Sequence, residues 1–223
     1  MSGFFDNLLG SRSDERFVNR YDAGRAIAEG MREIVAGMKG KGAAVGLLRG
    51  GVAVAKAVAN ELTIPIDFRS VRKVGHPYHP EFAIGAVDIS GVSIRNPMLD
   101  PSETVSDEEF ERMANRELEH ARTLEEQLIK GGAKHVEGCD WCLVIDDGAA
   151  TGLTLLAAVR GIKSEGLKVL VGLPVSSDHA EMLLRNEADY FYSVHIPRHF
   201  MAVSQFYDDF EPVSTEEVRS LLI

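Results

Sequence analysis

Cys142-Leu-Val-Ile-Asp-Asp-Gly-Ala-Ala-Thr-Gly-Leu-Thr154 is the stretch on which the reading of this chain turns. An apolar run over 140–145 predicts a strand, and a helix is predicted over Leu155 to Ser164. Between them stand two adjacent carboxylates, then small residues, then hydroxyls at the helix start. Gly148, Ala149, Ala150 and Gly152 let backbone N–H groups approach an anion, and the helix dipole favours a phosphate there. Thr151 and Thr154 can add hydroxyl donors to the same oxygens. Asp146 and Asp147 would repel a phosphate, so they are expected to face the other end of the ligand. An ionised carboxylate only accepts, which suits the vicinal hydroxyls of a ribose. The bland alternative is a strand-to-helix corner with acidic residues near the dipole.

Outward from this stretch, strands and helices alternate. Apolar residues recur at three- and four-residue steps from Phe17 to Met38 and predict a helix with one buried face. Ala43 to Leu48 reads as a buried strand, Arg49-Gly-Gly51 breaks it, and Val52 to Leu62 reads as a helix packed on a sheet. Ile66 to Arg72 alternates and is expected to be a single strand; Gly75, Pro77 and Pro80 turn the chain into a strand over Phe82–Val87. Residues 88–105 carry Pro97 and Pro101 and read as an irregular connection. Ser106-Asp-Glu-Glu109 resembles a capping box and opens a helix to about residue 130, with a thin apolar stripe that includes Phe110, Met113, Leu118 and Leu128. Further on, Lys168–Pro174 and Asp189–Val194 read as strands, with helices from Asp178 and from Thr215. The expected fold is α/β, a mainly parallel sheet flanked by helices with a small C-terminal hood. It forms one domain over 1–223 with a helical insertion at about 106–131. Ligands of such sheets sit beyond the carboxyl ends of the strands.

The composition agrees. The chain has 223 residues, 45% of them hydrophobic and 26% charged, enough to hide a core without disulfides. The net charge of −10 is uneven: ten carboxylates against three arginines lie in residues 100–126, which reads as a solvated helix face. No basic patch marks a nucleic-acid partner, and no apolar run is long enough to span a bilayer. The first residues lack a basic, then apolar, leader pattern, and two cysteines suit a reducing interior, so the cytoplasm is the expected location.

The acidic-pair loop resembles the motif by which type I phosphoribosyltransferases bind 5-phosphoribosyl 1-diphosphate (PRPP). Leu48-Arg-Gly-Gly51 resembles the family's pyrophosphate loop, and Val71-Arg-Lys-Val-Gly-His-Pro77 the Arg-Lys stretch of adenine and orotate enzymes, in the same chain order. Together with Pro80–Val87 and Phe206-Tyr-Asp-Asp-Phe210, these stretches resemble phosphoribosyltransferases of unassigned substrate over roughly residues 16–222. The resemblance implies transfer of the 5-phosphoribosyl group to a nitrogen acceptor with release of pyrophosphate, Mg²⁺ as cofactor, and a homodimer. It places PRPP at Asp146, Asp147, Gly148, Ala149, Ala150, Thr151, Gly152, Leu153 and Thr154, and pyrophosphate at Arg49, Gly50 and Gly51. Arg49, Arg72 and Lys73 are the implied catalytic residues, stabilising charge on the leaving group. Residues 88–106 and the acidic helix are the expected cover over the site. Two alternatives stand beside the enzyme: a PRPP- or nucleotide-binding regulator without turnover, and a fold kept for assembly.

One position bears on the acceptor. Hypoxanthine-guanine enzymes place an Asp just before the loop's Thr-Gly as a general acid/base, and Ala150 stands there instead. The 6-oxopurine route is therefore expected to be closed, leaving adenine, uracil or a small amine, with Phe200, Phe206 and Tyr207 as candidate stacking surfaces of the hood. Cys139-Asp-Trp-Cys142 has only His135 nearby as a further zinc ligand, and burial of Cys142 is the preferred reading. Ser176-Ser-Asp-His179 is not expected to act as a triad. His76 and His79 read as surface residues. Phe4, Phe5, Leu8 and Leu9 read as an arm covering the core or a partner, and Phe200–Val203 as exposed apolar surface for a second copy.

Overall fold

The Asn19 side chain accepts a hydrogen bond from the Asp22 amide at 3.0 Å, satisfying one of the amides that a helix start leaves open, and α1 (Arg20–Ala36) begins there. In the computed structural model, which describes residues 16–129 and 136–222, the chain continues as β1 (Gly42–Leu47), α2 (Gly50–Leu62), β2 (Ile66–Arg69), β3 (Val71–His76), β4 (His79–Asp88) and β5 (Ser93–Arg95). Then follow α3 (Asp107–Ile129), β6 (Trp141–Ile145), α4 (Leu153–Ser164), β7 (Lys168–Val175), α5 (Asp178–Glu187), β8 (Tyr190–His195) and α6 (Thr215–Leu221). Phe4, Phe5, Leu8, Leu9 and His135 lie outside the described residues.

The fold class expected from the alternation is the one observed. Five parallel strands form a sheet in the order β2-β1-β6-β7-β8. Because side chains alternate across a strand, β6 sends Leu143 and Ile145 to one face and Cys142 and Val144 to the other. The first pair packs with Ile27 and Met31 of α1 and Val54 and Val58 of α2. The second pair packs with Leu155, Val159 and Ile162 of α4 and Leu184 of α5. Burial on both faces explains why β1 and β6 are apolar without alternation.

The predicted single strand over Ile66–Arg72 is two strands in two sheets. β2 pairs with β1, while β3 pairs antiparallel with β4, and β4 with β5, in a separate three-stranded sheet. The break falls at Ser70, whose amide donates to buried Glu125 of α3 at 3.2 Å. Local alternation runs on through this residue and carries no mark of the change of sheet. The connection predicted to be irregular contains β5. An ion network centred on buried Arg69 and Asp88 joins the two sheets: Arg69 donates to both Asp88 oxygens at 2.7 and 2.6 Å and to the exposed Glu165 at 2.7 Å. Helix α3 starts as its sequence predicts, with the Ser106 hydroxyl accepting from the Glu109 amide at 3.2 Å. Its stripe of Phe110, Met113 and Leu118 covers Val74, Ile84 and Val87 of the antiparallel sheet.

Strand order locates the site. From β1 the chain crosses by α2 to β2 on one side, and from β6 by α4 to β7 on the other. The carboxyl ends of neighbours β1 and β6 are therefore the topological switch point, where a crevice opens in such sheets.

Candidate functional site

Past β1 and β6 the chain delivers Leu48-Arg-Gly50 and Asp146-Asp147 side by side, and a cleft of about 620 Å³ opens there. Its walls include Arg49 and Gly50, then Val71, Arg72 and Lys73 from β3, then Asp146 through Gly152 with Thr154, and finally Val203 and Phe210 from the C-terminal strap. Four stretches far apart in sequence thus meet at one place. Gly51 is buried in the first turn of α2, where an added Cβ would lie 2.6 Å from the Ile145 carbonyl oxygen. The Leu48–Arg49 peptide is cis.

The loop after β6 has a defined shape. Gly152 precedes α4 at φ 73°, a left-handed conformation that costs glycine little and other residues more. The Ala149 amide donates to the Val175 carbonyl at 2.9 Å, which removes it from the predicted set of anion-facing donors. The Ser177 amide donates to the Ala149 carbonyl at 2.9 Å and the Ser177 hydroxyl to the Ala150 carbonyl at 2.6 Å. These bonds pin the loop to the end of β7 and leave the amides of Ala150, Thr151 and Gly152 without an acceptor among the described residues. Leu153, expected in the binding set, has a core side chain, and its amide points to the Thr151 hydroxyl at 3.5 Å.

Asp146 and Asp147 are desolvated together. Burial and the neighbouring Asp147 hold the Asp146 carboxyl well above its ordinary value, against the pull of Lys73 and Arg20. Burial also raises Asp147, opposed by Arg20. The Arg20 Nε donates to Asp147 Oδ2 at 2.9 Å, with the two side chains 12% and 18% exposed. Arg20 is the residue that sequence reading missed. It lies inside the helix predicted from Phe17 onward, and nothing near it in sequence marks it as a partner of a residue 127 positions away.

The strap after β8 differs from the expected hood in detail. Phe206 and Tyr207, expected as stacking surfaces, are 3% and 1% exposed and pack with Phe17 and Val175. Tyr207 instead donates its hydroxyl to the Asp147 carbonyl at 2.7 Å, and burial pushes its phenol above the ordinary value. Among the described residues, the aromatic side chain that lines the cleft is Phe210. Neither residues 88–106 nor α3 lines the cleft, contrary to the expected cover, because α3 spends its apolar stripe on the far sheet. Arg72 does line it, while its Nε also meets Glu117 of α3 at 3.3 Å. His76 and His79 face each other at the tip of the β3–β4 hairpin. Ser177 caps α5 through the Ala180 amide at 3.0 Å, and Cys142 is fully buried in β6, where burial pushes its thiol up to about 12.

Residues 18–211 match the family model described as the phosphoribosyl transferase domain. The chain belongs to this phosphoribosyltransferase family. Two provisionally named phosphoribosyl transferases of Mycobacterium tuberculosis, from strains CDC 1551 / Oshkosh and H37Rv, are 32% identical to it over 208 residues, which is 92% of this chain and 46% of theirs. The chain thus spans about half the length of these relatives. The crystal structure of TT1426 from Thermus thermophilus is similar at 33% identity and a TM-score of 0.74, covering 93% of this chain and 97% of that one. The cleft lies at the switch point of the sheet, where open α/β sheets take their ligands.

Proposed function

We propose that this phosphoribosyltransferase binds PRPP in the cleft and transfers its 5-phosphoribosyl group to a nitrogen acceptor, releasing pyrophosphate. The observation that carries this reading is the meeting of Arg49–Gly50, Arg72–Lys73 and Asp146–Thr154 in one cleft. The 5-phosphate sits at the amides of Ala150 to Gly152 with the Thr151 and Thr154 hydroxyls, at the start of twelve-residue α4. Asp146 and Asp147 accept from the ribose hydroxyls. The diphosphate then reaches across to the start of α2, where Arg49 and the Gly50 amide meet it, with Arg72 and Lys73 also lining the cleft. As the bond from the anomeric carbon breaks, negative charge grows on the diphosphate, and these cations stabilise it more than they stabilise the ground state.

Mg²⁺ fits the donor set. No group of three or more His, Cys, Asp or Glu among the described residues could hold a metal ion. The cleft does offer two adjacent carboxylates, and Mg²⁺ takes one or two carboxylates together with substrate phosphates. When bound, it neutralises diphosphate charge. Asp146 would hold it on the protein side, leaving Asp147 to the ribose.

The acceptor enters beside Phe210 and Val203, which exclude water from the reacting carbon. Ala150 offers no proton acceptor or donor, so hypoxanthine and guanine are not the substrates. A screen of nucleobases and small amines for PRPP-dependent pyrophosphate release tests the reading. Release that needs one of them supports transfer; tight PRPP binding with no release under any acceptor supports the regulatory alternative. We also propose a homodimer. Met201, beside Phe200, is 91% exposed, an apolar side chain that a second copy would cover. Light scattering at micromolar concentration is expected to give twice the chain mass, and a monomer mass would contradict it.

A further inference from the structure

We infer that Arg20 is a positioning residue that presents Asp147 to the ribose and ties three parts of the site together. The inference rests on the proposed PRPP reading. The Arg20 guanidinium makes three contacts in three directions. Its Nε donates to Asp147 Oδ2 at 2.9 Å. Its Nη1 donates to the Glu211 carbonyl at 2.8 Å. Its plane lies over the Phe210 ring, 3.9 Å from the centroid. The pyrophosphate loop comes equally close: a Cβ added to Gly50 would stand 2.0 Å from Asp147 Oδ2 and 3.2 Å from Arg20 Nε. One cation therefore bridges the acidic-pair loop and the C-terminal strap directly beneath the glycine that opens α2.

The side of approach matters. Arg20 does not line the ligand cleft, whereas Asp147, Gly50 and Phe210 do. It lies behind them, on the wall of a separate cavity of about 350 Å³ that it shares with Lys56 and Glu217. The Nε and Nη1 of Arg20 are both engaged by protein oxygens in this arrangement. Arg20 takes Oδ2 from behind and leaves Oδ1 of Asp147 for a ribose hydroxyl. Its charge also opposes the desolvation that burial imposes on the carboxylate. The planar fork is needed for this, because one ammonium cannot reach a carboxylate, a carbonyl and a ring face in three fixed directions.

The test separates positioning from general structural support by using two ligands, Mg²⁺–PRPP and Mg²⁺–pyrophosphate, in calorimetric titrations of the full chain. Pyrophosphate has no ribose and does not need Asp147. R20Q is expected to weaken Mg²⁺–PRPP about tenfold, the range of a hydrogen bond to a charged group. Mg²⁺–pyrophosphate affinity should stay within about twofold. R20K, which keeps the charge and loses the fork, should lie between R20Q and the unaltered protein for Mg²⁺–PRPP, and it provides the comparison if R20Q fails to fold. In a D147N background, adding R20Q should change Mg²⁺–PRPP affinity by less than about twofold, because the two groups act as one unit. Equal weakening of both ligands, full additivity in the cycle, or R20K binding as the unaltered protein does would each overturn the inference while leaving PRPP binding intact. Failure of the unaltered protein to bind Mg²⁺–PRPP would overturn the proposed function, and this inference with it.

Discussion

Asp146 and Asp147 are costly residues to keep where they are. Both carboxyls are raised by burial, and Asp146 further by its neighbour, so without a ligand the pair tends to hold a proton. A carboxyl whose folded value lies above its unfolded one destabilises the native state as pH rises. Between the ordinary value of 3.8 and the raised folded value, the native state binds more protons than the unfolded chain, so stability falls with increasing pH. Thermal melts of the ligand-free protein are expected to show this decline above about pH 4, and D146N to flatten it and melt higher near neutrality. A D146N protein that melts lower at neutral pH, with the slope unchanged, would show that the pair is not held under strain. At the next turn of the loop, Ala150 leads to a second expectation: hypoxanthine and PRPP give no inosine monophosphate. Robust formation of that nucleotide would show that another group supplies the proton. The acidic-pair loop was legible in the sequence as a feature because its marks are local, a strand end, small residues and a helix start. Arg20 was not, and Phe210 entered only as the end of a resembling stretch, since each acquires its role from a partner brought near only by the sheet order. Phe206 and Tyr207 misled for the matching reason: aromatic character predicts a surface for stacking, but burial beside Phe17 turned them into anchors.

Helix α3 shows how an element can be read correctly and placed wrongly. Its start, length and apolar stripe follow from Ser106, the spacing of Phe110, Met113 and Leu118, and its charged remainder. Periodicity does not say which surface the stripe covers, and the antiparallel sheet it covers was itself hidden, because β2 and β3 share one alternating run through Ser70. The consequence is mechanical. α3 holds the back of the sheet whose first strand presents Arg72 and Lys73 to the cleft. Phe110 is at the centre of that contact: a Cβ on Gly85 would lie 2.6 Å from its ring, and Arg95 lies over it at 4.3 Å. Removing a buried aromatic ring costs about 3–5 kcal/mol where the site cannot collapse. Phe110→Ala is therefore expected to lower unfolding free energy by about that amount in a denaturant titration. It should also weaken pyrophosphate binding, although residue 110 does not touch the cleft. Normal stability in that variant would contradict the packing described, and weakened stability with unchanged pyrophosphate affinity would uncouple α3 from Arg72 and Lys73.

At the scale of the whole molecule, the site exists because two crossovers leave the sheet in opposite directions from β1 and β6. The proximity of the cleft residues follows from the strand order and from Arg69, which locks the second sheet onto the first. The alternation of strands and helices made a mainly parallel sheet an expectation, and the match over residues 18–211 places the chain in the phosphoribosyl transferase domain family. A ligand that binds only the native state raises its stability, by about 2.7 kcal/mol at a hundredfold excess over Kd. For a chain of this size that corresponds to a rise in Tm of roughly 5–10 °C. The most direct measurement is a calorimetric titration of Mg²⁺–PRPP into the unaltered protein and into the D146N/D147N variant. The account predicts saturable one-to-one binding to the unaltered protein and, in the folded variant, affinity at least about tenfold weaker, since both acceptors for the ribose are lost. Equal affinity in the two proteins would contradict it.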